Sequence, residues 1–371
     1  MTARDVSRRR LLAAGLAAPA LAVLPAGCGA PPTGAGSGSG RRRGGKAFDR
    51  VYQRLDGLQE EERRARLAKL AQKEGALSVY TSNTSMPVVV RAFEKEFGIQ
   101  SQVYRAQSET VSQRALSEAK SGQVKSDIID NTAEFMQIAH QEGLLGEYQG
   151  PARDGLPELA LGPGFTANQH TVFAVAWNSK LVPADRRPSS YQDLTDPWWA
   201  DKLLIDPRHD AMYYALHRHF RSKGLSAQEF RGMFRKLGEN AVPMEGGTPR
   251  ANAVVSGEHS GSLGSFIHEV DEQAKKDAPI TWQPAVEPLY SEPVGSGLAA
   301  GAPHPAAALL FYEWILAEGQ KELAALSRVT SAEFGEGGRL AKRTVLTIDY
   351  GQYVKERDKW QSEFHQLIGY R

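Results

Sequence analysis

The chain has 371 residues, 41% of them hydrophobic and 24% charged, with a formal net charge of +2 at pH 7. These proportions indicate a globular protein of about two domains rather than a disordered or an integral membrane chain. Residues 1–46 contain eight basic residues and one acid, so residues 47–371 carry a net charge of −5. Nucleic-acid binding usually needs a basic face, and the body of the chain gives no support for one.

Residues 1–27 have the order of an export signal peptide. A basic start, SRRRLL at residues 7–12, leads into an apolar run over residues 11–24, which is shorter than the about 20 residues that span a bilayer. SRRRLL resembles a twin-arginine signal, and PAGC at residues 25–28 resembles a lipobox. The resemblance implies that Cys28 is lipidated and becomes the mature N-terminus. The alternative is a plain secretory peptide with an incidental cysteine.

Cys28 is the only cysteine of the chain. This count excludes disulfides within the exported body, cysteine-ligated metal clusters and cysteine nucleophiles. Residues 28–46 are rich in glycine, serine and proline, which is typical of a flexible tether. The basic cluster of this tether would lie near an anionic membrane surface if Cys28 carries lipid.

Residues 47–74 have helical periodicity and predict a lead-in packed outside the first domain. From residue 76 the pattern alternates between strand and helix, which predicts a doubly wound parallel sheet. The predicted strands are 76–80, 102–104 and 126–130, and the predicted helices are 88–97, 108–120 and 133–141.

A second α/β unit is predicted within the first. An apolar strand at residues 171–177 leads into it, a strand at 280–284 returns from it, and a helix follows at 304–317. The predicted fold is therefore α/β with two lobes and two crossing strands. The predicted parts are lobe 1 (75–177 and 280–345), lobe 2 (178–279) and a C-terminal helical tail (346–371).

Ligands of open parallel sheets bind beyond the carboxyl ends of the strands, where helix N-termini offer free N–H groups. Polar residues at these strand-to-helix junctions are therefore the candidate ligand contacts, and helix capping alone is the alternative for each of them. The first junction, TSNTS at residues 81–85, is the exception, because five small polar residues exceed what one cap needs. The candidates are Ser82, Asn83, Thr84, Asn131 and Thr132 from lobe 1, and Arg208, His209, Thr248, Arg250, Ser265 and His268 from lobe 2.

Arg208 and Arg250 could each clamp an anionic group with two hydrogen bonds, and the alternative for both is an ordinary ion pair. The neighbouring histidines and the pair Tyr213-Tyr214 could suggest a metal site, but packed aromatic residues are the alternative. No hydrolase motif of the G-x-S-x-G or H-E-x-x-H type occurs in the chain. A serine–histidine–aspartate arrangement between distant residues stays open.

Seven segments in order resemble the solute-binding lipoproteins of bacterial ABC importers, in particular the group that contains the ferric-ion-binding proteins. Together they cover about residues 70–325. The segments are KEGALSVYTS (73–82), FEKEFGI (93–99), GLL (143–145), AWNSK (176–180), YQDLTDP (191–197), HPAAA (304–308) and AEGQ (317–320).

The resemblance implies a type II periplasmic-binding-protein fold, in which two α/β lobes close on a ligand around a hinge. It further implies a monomer without enzymatic activity or a cofactor, whose partners are an ABC permease and its ATPase. With the N-terminal signals, the protein is expected to be lipid-anchored at the outer face of the cytoplasmic membrane or in the periplasm. The alternatives are an exported enzyme on the same scaffold and a ligand sensor that docks on a membrane receptor.

The resemblance leaves the solute open. Ferric members often carry adjacent tyrosines after the strand at residues 262–263, where this chain reads GSFIH (264–268) without a tyrosine. Ferric iron prefers phenolate and carboxylate oxygens. The polar residues and arginines instead suit a small oxyanion such as a phosphonate, a phosphate ester or a carboxylate. Ferric iron, free or chelated, remains the second possibility, as transported cargo.

Overall fold

The structure is a computed structural model that describes residues 45–335 and 337–370. The predicted signal peptide, Cys28 and nearly all of the predicted tether lie outside the described residues and stay predictions. Within the described part of the chain, no helix combines the length and the apolar character needed to cross a membrane.

The predicted lead-in consists of two helices, α1 (Gly45–Leu55) and α2 (Glu60–Glu74). Arg63 of α2 donates from Nη1 and Nη2 to the two carboxylate oxygens of Glu313, at 2.8 and 2.5 Å. A bidentate pair of this kind fixes orientation as well as distance. It attaches the lead-in to a helix that lies about 250 residues further along the chain.

The first lobe alternates strands and helices, as the sequence predicts. Its elements are β1 (Ala76–Thr81), α3 (Met86–Phe97), β2 (Gln100–Arg105), α4 (Ser108–Ser121), β3 (Ile128–Thr132) and α5 (Ala133–Gln141). β1 pairs in parallel with both β2 and β3, which confirms the parallel unit. Two 3-10 helices (Pro151–Arg153 and Glu158–Ala160) and β4 (Leu161–Gly162) then lead into the long strand β5 (Phe165–Asn178).

The second lobe also alternates strands with helices. It follows three 3-10 helices (Ala184–Arg186, Gln192–Thr195 and Pro197–Trp199). Its elements are β6 (Leu203–Ile205), α6 (Asp210–Ser222), α7 (Ala227–Glu239), β7 (Ala241–Pro243), α8 (Gly247–Ser256), β8 (Gly261–Phe266), α9 (Ile267–Ala274) and β9 (Ile280–Thr281). β6 pairs in parallel with β7 and β8.

The chain returns through β10 (Leu289–Leu298) to α10 (Pro305–Leu316), α11 (Gly319–Ala325) and a 3-10 helix (Ser331–Phe334). It ends in β11 (Val345–Leu346) and α12 (Tyr350–Leu367). The main path of the sheet runs β2-β1-β3-β10-β5-β8-β6-β7. β10 is antiparallel to β3 and to β5, and β5 is antiparallel to β8. β5 and β10 therefore join the two parallel units, which confirms two lobes with two crossing strands.

The identity of the returning strand differs from the prediction. Only residues 280–281 of the predicted strand at 280–284 form a strand, and they pair with the end of β5. The crossing strand is β10, which contains Pro293, Gly295 and Gly297, residues that are depleted in strands. Backbone proximity explains the glycines, because a Cβ at Gly295 would collide with the carbonyl oxygen of Thr166 and one at Gly297 would lie 2.9 Å from that of Gly164.

Candidate ligand-binding cleft

The turn between β1 and α3 is held by its own side chains. Thr81 Oγ1 donates to Asp130 Oδ1 at 2.7 Å and accepts from the amide of Asn83 at 2.9 Å. Asn83 Oδ1 accepts from the amide of Ser85 at 2.9 Å, while Asn83 Nδ2 is buried without a hydrogen-bond partner. Ser82 is half-buried, and its amide donates to the carbonyl oxygen of Asp130. The side-chain amide group of Asn83 is therefore the donor of this turn that lacks a partner.

Asp130 lies beneath this turn and connects it to both crossing strands. Its Oδ2 accepts from Asn168 Nδ2 of β5 at 2.6 Å and from Ser296 Oγ of β10 at 2.9 Å. Burial raises the pKa of the Asp130 carboxyl to about 6, although the hydrogen bonds from Thr81, Asn168 and Ser296 oppose the rise. The first lobe is therefore tied to the crossing strands directly below the candidate site.

Of the two predicted contacts at the end of β3, the Asn131 side chain has partners within the protein. Asn131 Nδ2 donates to the carbonyl oxygen of Ser108, and its Oδ1 accepts from the amide of Thr132, both at 2.9 Å. Thr132 precedes α5, and its side chain makes no capping hydrogen bond. Asn131 bonds the backbone at the starts of α4 and α5 without capping either helix; its contact with a solute stays a prediction.

Asp206 organises the two arginines predicted to clamp a ligand. Arg208 donates to both oxygens of Asp206, at 3.0 and 2.9 Å, and Arg250 Nη1 donates to Asp206 Oδ2. Although burial raises the pKa of Asp206, the hydrogen bonds from Arg208 and the charge of Arg250 hold it well below its usual range. A role for either arginine as a ligand clamp stays a prediction, and it would require breaking an existing ion pair.

Arg250 is also enclosed on its other sides. Its side chain is fully buried, with Nη2 donating to the carbonyl oxygen of Gly264 at 2.9 Å and Nε to Ser262 Oγ at 3.3 Å. These bonds run to the middle of β8, so Arg250 fixes that strand against the turn that carries Asp206. The geometry describes a positioning residue.

His209 packs its ring against aromatic residues. The ring centroid lies 4.8 Å from that of Phe173 and 5.9 Å from that of Phe266. Burial, assisted by the Arg250 charge, lowers the pKa of His209 to about 3, so the imidazole is neutral at physiological pH. Gly264 has a φ of +76°, and a Cβ there would lie 2.5 Å from His209 Nδ1, so this contact requires glycine.

Two further predicted contacts of the second lobe differ in their bonding. Thr248 is exposed and donates from Oγ1 to Glu269 Oε1 at 3.0 Å. Ser265, at the end of β8, is 3% exposed, and its Oγ has no hydrogen-bond partner. A buried hydroxyl without a partner is costly, so Ser265 is a stronger candidate for a solute contact than Thr248.

Arg328, which sequence reasoning missed, contacts both lobes. Its Nε donates to Ser85 Oγ at 2.6 Å and its Nη2 to Thr84 Oγ1 at 3.0 Å, both at the start of α3. Its Nη1 lies 2.5 Å from His268 Nε2, at the start of α9 in the second lobe. Arg328 follows α11 in an irregular segment, where Ser327 has a φ of +58°. No motif or strand-to-helix junction marked this position.

The contact with Arg328 defines the state of His268. Because an arginine only donates, Nε2 of the imidazole accepts, and the ring proton is assigned to Nδ1. Burial, assisted by the charges of Arg328 and Arg339, lowers the pKa of His268 to about 3, which keeps the ring neutral. Nδ1 is buried without a partner. His268 therefore offers one buried donor.

A cavity of about 500 Å³ leads to Arg328 from the surface. Its lining includes Asp271 of α9, Lys275 directly after α9, and Ser327, Glu333 and Arg339. This volume lies within the range of about 300–1,000 Å³ that is usual for small-molecule sites. The cavity contacts residues of both lobes, as a solute site between lobes requires.

The metal alternatives have structural explanations. Among the described residues, no group of three or more histidine, cysteine or acidic side chains could hold a metal ion. Tyr213 and Tyr214 are buried against α12, where Tyr213 donates to Glu363 and Tyr214 accepts from Arg218. His217 packs between Phe230 and Trp360. These rings pack against other aromatic residues and lie outside the cleft.

Two α/β lobes joined by two crossing strands, with polar helix starts brought together across a cleft, define a solute-binding protein of the periplasmic type. The chain belongs to the bacterial extracellular solute-binding proteins, because a model of that family matches residues 77–325. The resemblance drawn from the sequence is confirmed. Proteins of this family are not enzymes, which removes the exported-enzyme alternative. No curated protein sequence matches the chain.

Solved structures share the fold at low sequence identity. HitA from Pseudomonas aeruginosa, solved with iron bound, has a TM-score of 0.64 and 16% identity over 79% of this chain and 99% of its own. Trichodesmium FutA, solved with iron and citrate, has a TM-score of 0.61 and 17% identity over 80% and 100%. AfuA from Actinobacillus pleuropneumoniae, solved with fructose-6-phosphate, has a TM-score of 0.64 and 21% identity over 80% and 99%.

Proposed function

We propose that the chain is the solute-binding component of an ABC importer, which captures a small solute between its lobes and delivers it to a membrane permease coupled to an ATPase. The contact of Arg328 with Ser85 of one lobe and His268 of the other is the observation that carries this proposal. A small molecule at this point would contact both lobes only when they are closed. Its binding would therefore favour the closed form that a permease can recognise.

The proposed solute contacts are drawn from the predicted residues and are extended by Arg328. Asn83, Ser265 and His268 each have a buried polar atom without a partner, and Thr84 lies beside Arg328. The remaining predicted contacts are assigned supporting roles within the cleft. They are Ser82, Asn131, Thr132, Arg208, His209, Thr248 and Arg250.

The solute is either iron, free or chelated, or a small oxyanion. Structural neighbours of this chain have been solved with iron, with iron and citrate, and with a sugar phosphate. We further propose export through the twin-arginine signal, lipidation at Cys28 and a tether over residues 28–46. The protein would then act as a monomer on the outer face of the cytoplasmic membrane or in the periplasm. The lobe limits at residues 75–177, 178–279 and 280–345 are part of the same proposal.

Protein purified from its own cells without added ligand tests solute capture. Native mass spectrometry is expected to show a bound small molecule, and X-ray scattering is expected to show a smaller radius of gyration with that molecule than after its removal. No retained molecule and unchanged scattering would contradict the proposal.

Uptake by cells separates an importer from a sensor. A strain without the gene should lose uptake of the retained solute, and a strain with Cys28→Ser should release the protein from the membrane. Unimpaired uptake together with a lost transcriptional response to the solute would indicate the receptor-docking alternative instead.

A further inference from the structure

We propose that Arg328 binds an anionic oxygen group of the solute, a carboxylate or a phosphate, in place of the neutral side chains that it contacts here. The inference rests on the proposed capture of a solute between the lobes, and it adds the chemical class of that solute. It also moves the anion-binding role from Arg208 and Arg250 to a residue outside the predicted junctions.

The charge of Arg328 has no anionic partner among the described residues. Its three contacts are the hydroxyls of Ser85 and Thr84 and the imidazole of His268, and no described carboxylate oxygen lies within 4.0 Å of its nitrogens. Glu269 and Glu272 influence it only at longer range, while burial lowers the pKa of its guanidinium. A half-buried cation without an anion is unfavourable.

Other arginines near the cleft are paired, which makes Arg328 distinct. Arg339 lines the same cavity and forms ion pairs with Asp271 and Glu333. Arg250 and Arg208 both pair with Asp206. Lys275 of the same cavity lining donates to Ser327 Oγ at 3.0 Å, so a second cation of this cavity also contacts a hydroxyl.

The present partners of Arg328 can be replaced by a stronger acceptor. A hydroxyl offers the guanidinium a neutral acceptor, whereas a carboxylate or phosphate adds the attraction of opposite charges and fits the guanidinium with two parallel hydrogen bonds. An entering oxyanion would therefore displace the hydroxyls of Ser85 and Thr84 at a gain in free energy. Both hydroxyls could then turn and donate to the same anion.

Uncommitted donors in the cleft match an anion as well. Asn83 Nδ2 and His268 Nδ1 are buried donors without partners, and Ser265 Oγ can donate. Asn83 supports the turn that carries Ser85, and His268 contacts Arg328 itself. An iron ion would instead need several acceptors at this point. Three buried acceptors lack a partner, and none of them forms a hydrogen bond with Arg328. They are Asn168 Oδ1, Gln169 Oε1 and Glu269 Oε2.

Calorimetric titration of the full chain with inorganic phosphate, citrate and fructose-6-phosphate tests the inference. The wild type should bind at least one of these probes. Arg328→Gln should bind that probe about 10- to 100-fold more weakly, because a hydrogen bond to a charged group is lost. Arg343→Gln is the matched control, since Arg343 contacts Glu287 and Gln283 outside the cleft, and it should bind with unchanged affinity.

Two results would overturn the inference: no binding of any probe by the wild type, or equal affinity of the wild type and Arg328→Gln. If Arg328→Gln unfolds, Arg328→Lys decides in its place. The lysine keeps the charge but loses the bidentate geometry, so its affinity should fall at least about fivefold while the melting temperature stays close to that of the wild type. Unchanged affinity of the lysine variant would then count against bidentate anion binding.

Failure of this inference can be told from failure of the proposed function. The solute that the protein retains from its own cells is identified by mass spectrometry, and the scattering is measured with and without it. An uncharged or cationic solute on which the lobes close would refute the role of Arg328 and leave solute capture standing. A retained carboxylate or phosphate that Arg328→Gln loses would support both.

Discussion

Arg357 of α12 lies 3.0 Å, from Nε to Oε1, from Glu134 in the first turn of α5. One turn earlier on α12, Tyr353 donates its hydroxyl to Asp210 in the first turn of α6. α5 belongs to the first lobe and α6 to the second. A single C-terminal helix therefore contacts the start of one helix in each lobe. Any movement that opens the cleft must change these contacts.

Loss of the Arg357 charge should destabilise the protein in a pH-dependent way. Burial raises the pKa of Glu134 to about 7, and Arg357 opposes the rise. In Arg357→Met the folded-state pKa of Glu134 should rise further, so stability is lost only where the carboxyl would be ionised. The expected loss in free energy of unfolding is about 1–3 kcal/mol at pH 8 and little at pH 5.

Urea unfolding at the two pH values measures this loss. Lys355→Met on the exposed side of α12 is the matched control and should change stability by less than about 0.5 kcal/mol. An equal loss for Arg357→Met at pH 5 and pH 8 would show that its packing, and not its charge, supports the helix.

Glu292 on β10 should make the wild type less stable as the pH rises. Burial raises its pKa to about 8, and the charges of Glu134 and Asp210 add to the rise, with Arg357 opposing it. Because the folded-state pKa exceeds the unfolded value of 4.5, the folded state holds the proton longer, and stability falls as the pH rises from about 5 through 8. Glu292→Gln should reduce this fall, and the part that remains comes from Glu134 and Asp130, whose pKa values are raised as well.

Unfolding curves of the wild type and Glu292→Gln across this range provide the check. At pH 8 the glutamine variant is expected to be at least about 1 kcal/mol more stable than the wild type, and the difference should shrink toward pH 5. A constant difference across the range would contradict the assignment of Glu292 as the titrating group.

Arg250 and Arg208 should differ in their effect on stability, although both pair with Asp206. Arg250 is fully buried, whereas the side chain of Arg208 is 54% exposed. Arg250→Met leaves Asp206 buried with one partner fewer and should cost about 3–5 kcal/mol. Arg208→Gln removes a half-exposed partner of the buried Asp206 and leaves Arg250 in place, so it should cost less, about 1 kcal/mol. Similar losses in chemical denaturation would refute this division of roles.

Substitutions of two serines of β8 should have different effects, one on stability and the other on solute binding. Ser262 Oγ accepts from Arg250, whereas Ser265 Oγ has no partner. Ser262→Ala should cost about 1 kcal/mol of stability. Ser265→Ala should leave stability unchanged or slightly raised and weaken solute binding about three- to tenfold. Unchanged affinity of Ser265→Ala for the retained solute would remove Ser265 from the site.

The parallel units were predictable because their strands carry apolar, β-branched residues and their helices begin at polar junctions. β10 was not, since Gly295 and Gly297 are selected by the close approach of a neighbouring backbone, which only the assembled sheet shows. The strand predicted at residues 280–284 is wrong beyond residue 281, because β-branched and aromatic residues satisfied the local pattern while only residues 280–281 reach a partner strand.

The candidate site likewise contains residues that were predictable from the sequence and residues that were not. The turn at residues 81–85 was evident from its density of small polar residues. The pairing of Arg208 and Arg250 depended on the nearby buried Asp206, whose carboxylate accepts hydrogen bonds from both arginines. Arg328 carried no local signal, because its partners lie 243 residues away at Ser85 and 60 residues away at His268. Such long-range contacts are fixed by the tertiary fold.

The distance between the lobes, with and without solute, is the most direct test of capture in the cleft. Spin labels at Lys120→Cys on α4 and Lys236→Cys on α7, both exposed positions, would report it by pulsed electron spin resonance in a chain with Cys28→Ser. The solute retained from the cells should shorten the distance and narrow its distribution, and Arg328→Gln should need a higher solute concentration for the same change. A distance that saturating solute leaves unaltered would contradict capture between the lobes.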